Sequence, residues 1–346
     1  EARELGMITD LIVGSGWPFG GRFLKEEEIM QRLRVKKYEL QPRETIQMDV
    51  SEALNIAMDQ ASGSQTSRRK RDMEFISVSL VPVGMNSLDE IIDLSPLIKD
   101  GQLNYRVGKQ KYVLVFLYKE RNFMSVYHGA PGADGQVMDH YKRDVVRAYL
   151  NRLKAIERET GVPLAQLIRA LFCDSIELGG SNWTDDMASV FMERKGYDIT
   201  PYLPFVVQPP NMPNTYETSV ELSDHLQRVQ YDFYQALIDV FLERFTREFQ
   251  DFCTENGVLC RYQAYGTPYY MGLFQGNMIP DIPESNNWIY SQARDEAESE
   301  AYTWNQGHGY MLWNKAASTG AHISGRRISS CEAMTNVQGV FRTSLE

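Results

Sequence analysis

Four stretches of this chain repeat one order: a charged helix-forming run that stops at glycine, an apolar run of strand length, then a polar loop. "EARELG" leads into "MITDLIVGSGW" (7–17), and "KRDVVRAYLNRLKAIERETG" leads into "VPLAQLIRALFCDSIELGGSNW" (162–183). The segment from His225 to Gly257 leads into "VLCRYQAYG" (258–266), and "NKAASTGAHISG" leads into "RRISSCEAMTN" (326–336). A further strand-like run, "MIPDIPESNNW" (278–288), lies between the last two. Glycine ends a helix because it adopts the left-handed conformation other residues avoid. Helix and strand in alternation predict parallel strands joined by right-handed helical crossovers. The clearest helix carries Leu226, Val229, Phe233, Leu237, Val240, Phe241, Phe245, Phe249 and Phe252 at three-to-four spacing, a stripe for core packing rather than a ligand box. One β-rich insertion, about 73–118, interrupts the rhythm with "EFISVSLVPV", "QLNYRV" and "KYVLVFLY". Before it, residues 24–60 read as mixed, with a helical start at "KEEEIMQRL".

Several function classes are disfavoured. A formal net charge of −10 opposes nucleic-acid binding, which depends on neutralising phosphates. The basic run "SRRKR" at 67–71 sits in a polar stretch and reads as a solvated loop. No apolar run approaches the roughly 18 residues of a membrane span. The five histidines show no zinc spacing and the four cysteines no CxxC pair. Cys173 and Cys331 read as small core residues.

Three carboxylates share one topological position. Glu177 follows "ALFCDSI", Glu284 lies in "IPDIPESNNW", and Glu332 lies in "ISSCEAM"; each stands at or just beyond the C-terminal end of a strand. In a parallel barrel those ends meet on one face, where active sites are built. With Trp17, Trp183, Trp288 and Asn182 nearby, the three describe an acidic cleft with aromatic walls. Acid cleavage of an acetal needs one protonated carboxyl for the leaving oxygen and one carboxylate that attacks or activates water. Two other readings stand beside this one. Strand-end acids also cap helices or pair with arginine, and clustered carboxylates also suit a hard cation such as calcium.

"ELGMITDLIVGSGWPFGG", "GAPGADGQVMDHY", "DSIELGGSNWT" with "GYDITPYLP", and "ASTGAHISGRRISSCEAMTN" occur in that order. Together they resemble the catalytic domain of glycoside hydrolase family 106, the α-L-rhamnosidases. The resemblance implies an α/β fold of the (β/α)8 TIM-barrel type, here truncated at both ends. It implies inverting hydrolysis of terminal α-L-rhamnosyl linkages, assisted by calcium near the sugar. Carried onto this sequence, Glu177 is the general acid, Glu332 the general base, and Glu284 a carboxylate of the calcium and substrate site. Asp174 tunes the acid, binds a hydroxyl, or makes a structural pair. Asp139 and His140 contact sugar or anchor their loop. Trp17 and Trp183 are sugar platforms or packing residues, with Asn182 and Trp288 as further cleft candidates. His322 is placed with the substrate contacts, against a packed or helix-capping role. The expected partners are a carbohydrate substrate and the remaining barrel and accessory domains of a longer parent chain. The family's work on external polysaccharides implies a secreted or periplasmic protein. Two alternatives remain open: a retaining β-glycosidase of a related barrel family, and a carbohydrate-binding barrel remnant without turnover.

Overall fold

The computed structural model describes residues 2, 4–14, 16–54, 72–127, 129–210, 216–288 and 310–335, so the basic run at 67–71 lies outside the described residues. Five strands form one parallel sheet in sequential order: β1 (Asp10–Ile12), β2 (Ala170–Cys173), β3 (Leu259–Gln263), β4 (Ile282–Trp288) and β5 (Ser330–Thr335). Leu11 pairs with Leu171, Leu171 with Cys260, Tyr262 with Pro283, and Asn286 with Glu332. Strands laid side by side in chain order are the winding of a barrel, whereas a doubly wound sheet reverses its order at a switch point. The sheet is a curled half-barrel, with β1 and β5 at its edges. Closure into eight strands is not found among the described residues.

Alternation along each strand gives the sheet two unlike faces. Leu171, Cys173, Cys260 and Tyr262 point to the outer face and are fully buried. The predicted long helix covers them: it runs over Val220–Phe241, continues through a π turn at Leu242–Thr246, and ends in Arg247–Glu255. Its stripe residues Phe233, Phe241, Phe245, Phe249 and Phe252 are fully buried, with Phe245 edge-on to Tyr262 at 5.7 Å between ring centres. Burial of each such ring contributes about 1.5–3 kcal/mol. Gly257, left-handed at φ +68°, turns the chain from this helix into β3. The concave face instead carries Asp10, Arg261, Gln263, Glu284, Asn286, Ser330 and Glu332, the residues at alternate positions. Cys331, read as a core residue, is exposed, because it faces outward on the edge strand β5.

The antiparallel unit between β1 and β2 is wider than the insertion expected at 73–118. A sheet of four strands orders Arg32–Leu40, Tyr112–Arg121, Asp72–Pro82 and Ile92–Asp93, and a ribbon pairs Thr45–Asp49 with Gln102–Arg106. "KEEEIMQRL" gives one 3-10 turn at Glu26–Glu28 and then enters an edge strand instead of a helix. Arg32–Leu40 pairs with Tyr112–Arg121 along its full length, and that ladder outweighs local helix propensity. The unit has its own core around Leu80, Leu103, Leu114 and Phe116.

Asn182 fastens this unit to the loop beyond β2. Its side-chain oxygen accepts from the Leu33 N–H at 2.7 Å, and its amide donates to the carbonyls of Leu33 at 3.2 Å and Val207 at 2.9 Å. The residue is buried, and its amide is committed to backbone. Its expected place among the substrate contacts is therefore corrected to that of a clasp. Asn182→Ala leaves these backbone groups unpaired and costs about 1–3 kcal/mol. A thermal melt will register a lower midpoint; an unchanged midpoint would show that Asn182 does not hold the two segments together.

Candidate active site

The site begins where β2 ends. After Cys173 the chain runs on with Ser175, Ile176 and Leu178 buried and with Asp174 and Glu177 half-buried between them. Asp174 accepts from the Ser175 N–H at 2.7 Å. Burial raises its pKa, and Glu332 and Glu284 raise it further, against the opposing pull of the Ser175 N–H and Arg261. Burial also raises the pKa of Glu177, followed by the charges of Asp174 and Glu332. Carboxyls from the exit of β2 and from β4 and β5 thus share one electrostatic neighbourhood. Gly266, beyond β3, closes over Glu177: a Cβ at this position, itself left-handed at φ +78°, would lie 2.4 Å from Glu177 Cγ. The Leu178 N–H donates to the Thr267 carbonyl at 3.3 Å, tying the two loops together.

Glu332 on β5 is held differently. Its Oε2 accepts from Gln263 Nε2 at 3.1 Å and from Asn286 Nδ2 at 2.8 Å. Glu284 on β4 is 1% exposed and lies within a tighter set of contacts. Arg261 Nε and the Ser330 hydroxyl both donate to its Oε2, and Gln263 Nε2 approaches its Oε1 at 3.4 Å. Arg261 also reaches Asp10 on β1 at 3.3 Å. A carboxylate already paired with a guanidinium is a poor calcium ligand, because the cation must displace the arginine. Among the described residues no three His, Cys, Asp or Glu side chains group around a common point.

Trp17 borders this cluster. Its indole N–H donates to the Ser175 carbonyl, next to Asp174, and its ring lies 6.1 Å from that of Tyr127. Trp183 is half-buried against the main core and bridges by backbone to Gln31. Trp288 ends β4 opposite Thr335, and its side chain lies outside the described residues. Two other expected contacts are core residues. His140 is fully buried, donates from Nδ1 to the Met138 carbonyl at 2.8 Å, and packs edge-on against Phe245. Burial lowers its pKa to about 3, so the ring stays neutral. Asp139 is equally buried and accepts from the Tyr141 N–H at 2.9 Å and the Thr184 hydroxyl at 2.8 Å. Both have the contacts of loop anchors, one of the two readings given for each. His322 is exposed near the end of the helix Tyr310–Ile323. That helix runs back against the strands, so its end lies where β5 starts, opposite the end that carries the cleft. His322 is corrected accordingly.

Arg261, Gln263, Asn286, Ser330 and Gly266 were not anticipated. A signal for four of them exists in period two: Arg261 and Gln263, Glu284 and Asn286, Ser330 and Glu332 are polar residues two apart in successive strands. Strands whose other face is apolar place such pairs together on the concave side. Gly266 carries no comparable signal, since its closeness to Glu177 is a property of two loops distant in sequence.

Burial lifts the pKa of Asp139 from 3.8 to about 7, against the two hydrogen bonds it accepts and the charge of Lys142. Between those values the folded protein keeps a proton that the unfolded chain has released. The contribution to stability is therefore complete below the unfolded pKa and is lost as pH rises through about 7. Asp139→Asn removes this dependence. Melting midpoints taken at about pH 5 and about pH 8 will differ less in the variant than in the parent; an unchanged difference would refute the assignment.

A structure of a rhamnosidase from Novosphingobium sp. PP1Y superposes with a TM-score of 0.60 at 16% identity, covering 97% of this chain and 46% of that one. At that identity the likeness concerns the fold. A curated protein of Formosa agariphila, named "Putative beta-glucuronidase", is 22% identical over 362 residues, covering 98% of this chain and 29% of its own length. The chain thus spans less than half the length of either relative. The model of glycoside hydrolase family 106, described as alpha-L-rhamnosidase, matches residues 34–345, and the chain belongs to that family.

Proposed function

We propose that the protein carrying this chain hydrolyses terminal α-L-rhamnosyl linkages with inversion, and that Glu177 is its general acid and Glu332 its general base. The observation that carries the reading is the contrast between the two settings. Glu177 sits where burial and neighbouring carboxylates favour its protonated form. Glu332 is met by two amide N–H donors, the partners an ionised carboxylate accepts. A carboxyl that favours its proton, facing one that accepts two amide N–H donors, is the acid–base pair that acetal cleavage needs.

In the proposed reaction the Glu177 proton passes to the glycosidic oxygen as the bond from that oxygen to the anomeric carbon breaks. A water attacks the anomeric carbon from the opposite face and gives its proton to Glu332. The sugar leaves with inverted configuration, and each carboxyl has exchanged its protonation state with the other. Trp17, hydrogen-bonded beside Asp174, supplies an aromatic wall for the C–H face of the sugar. Calcium remains part of the proposal for the whole protein, with ligands other than Glu284, whose oxygens are taken by Arg261, Ser330 and Gln263. The half-barrel is proposed to be an arc of a (β/α)8 barrel completed by further chain, acting on carbohydrate outside the cell. No helix among the described residues is long and apolar enough to cross a membrane.

The Formosa agariphila relative raises glucuronides as a second substrate class. A glucuronide brings its own carboxylate, which needs a cation. Asp174, Glu177, Glu284 and Glu332 already crowd the site, and Arg261 is engaged by Asp10 and Glu284. An uncharged deoxy sugar avoids that repulsion, which favours rhamnose.

The test uses the full-length protein on 4-nitrophenyl α-L-rhamnoside and the matching β-glucuronide, with calcium and with chelator. Glu177→Gln and Glu332→Gln should each lower kcat by about 10²-fold or more. Nuclear magnetic resonance of the first-formed sugar should show the inverted anomer. Turnover of the glucuronide alone would discard the sugar and keep the cleft; binding without turnover on any glycoside would leave a carbohydrate-binding module. Because the Glu177 pKa is raised, activity should persist toward neutral pH and fall as pH rises through that value. Gly266→Ala presses a methyl group into Glu177 and should cost about 10²-fold in kcat/KM while the protein remains folded. Full activity in that variant would show that Glu177 does not need the placement Gly266 allows.

A further inference from the structure

Two amide side chains converge on Glu332 from neighbouring strands. Gln263 leaves β3 opposite Glu284, and Asn286 leaves β4 opposite Glu332. Gln263 is fully buried and Asn286 nearly so, and both donate to the same oxygen, Oε2. We propose that Gln263 and Asn286 are positioning residues for the general base, a two-amide clamp that fixes the plane and direction of the Glu332 carboxylate. The inference rests on the reading of Glu332 as base.

Three observations carry it. The orientation of Gln263 is dictated by its neighbours: its NH2 group lies between Glu332 Oε2 and Glu284 Oε1, and a flipped amide would set its oxygen against two carboxylates. Among the described residues the amide oxygens have no donor, for Gln263 Oε1 and Asn286 Oδ1 are both buried without a hydrogen-bond partner. Buried polar atoms are ordinarily satisfied, so side chains that forgo their own acceptors to present N–H groups to one carboxylate serve that carboxylate rather than the fold. The charges around Glu332 also need such a partner. Asp174 and Glu177 face it from the exit of β2, and Glu284 lies behind it on β4. Arg261 on β3 is directed to Asp10 and Glu284. Three carboxyls thus stand around Glu332, and the two amides aim neutral N–H donors at it, whereas a lysine or arginine in their place would bind the base outright.

The clamp is tested on the full-length protein by pH profiles of kcat and KM on 4-nitrophenyl α-L-rhamnoside. Gln263→Met keeps the bulk and removes the donor; Gln263→Glu keeps the shape and adds a carboxyl that shares its proton. In both, kcat should fall about tenfold or more with KM within about threefold, and the acid limb of the profile should move up by about one pH unit. A residue that only supported the fold would lower the melting midpoint and leave the limb in place. Should a Gln263 variant fail to fold, Asn286→Leu tests the same clamp from β4 with the same expected shift. Folded amide variants that keep the parental acid limb, while Glu332→Gln has lost turnover, would overturn the clamp and leave the base standing. Turnover retained by Glu332→Gln would overturn the base, and the clamp with it.

Discussion

One guanidinium touches every strand of the parallel sheet. Arg261 projects from β3 into the concave face, pairs with Asp10 on β1, and stacks on Phe172 of β2 at 4.4 Å. On the other side it donates to Glu284 on β4 and to the Ser330 hydroxyl on β5 at 3.2 Å. Barrel interiors are commonly filled by branched apolar side chains whose packing sets the curvature. Here a paired charge network occupies that place. Its net contribution to stability is modest, because desolvation offsets most of the attraction, yet its removal is severe. Glu284 without its guanidinium is a buried unpaired charge, a loss of about 3–5 kcal/mol. The network therefore fixes how the five strands sit together more than it adds to how tightly they hold.

This arrangement divides the cleft into a balanced floor and an unbalanced mouth. On the floor Asp10 is partly buried, which alone would raise its pKa, but Arg169 and Arg261 prevail and hold it low. At the mouth the balance reverses: Asp174 and Glu177 have burial and carboxylate neighbours, and the opposing pull of Arg261 on Asp174 is the smallest effect acting there. The same arginine thus lets Glu284 stay close to the site while leaving the upper carboxyls uncompensated. An acid that retains its proton depends on that lack of compensation.

Much of this was legible in the sequence, and the reason is periodicity. The parallel order of the strands, the aromatic stripe from Phe233 to Phe252 and the place of Glu177 just beyond β2 follow from local spacing, whereas Glu284 and Glu332, read as strand-end residues, are the third residues of β4 and β5. What was missed depends on contacts between distant segments. "KEEEIMQRL" has helical composition, yet its second half becomes strand because Tyr112–Arg121, about eighty residues later, offers a ladder. Asn182, in a loop beside two glycines and a tryptophan, resembles a cleft residue by composition; only Leu33 and Val207 show it to be a clasp. Asp139 and His140 follow a Gly-rich loop and were open to both readings, because burial is not a property of the loop's own residues. Arg261 was passed over for another reason: a lone arginine in a strand is ordinary until its three anionic and polar partners on other strands are known.

The placement of the two proposed catalytic carboxyls bears on stereochemistry. Glu177 follows β2 and Glu332 lies on β5, so β3 and β4 stand between them. At a strand spacing of about 4.8 Å, three steps along a flat sheet would separate their backbones by about 14 Å. An inverting pair works at about 6.5–9.5 Å between carboxyls, and a retaining pair at about 5–5.5 Å. Curling the sheet and directing both side chains inward shortens the chord, and Glu332 is the smallest of the influences that raise the Glu177 pKa. Reaching the wider separation requires less closure than reaching the narrower one. The side chains that occupy the intervening strands, Gln263 on β3 and Asn286 on β4, hold Glu332 from its own side of the cleft.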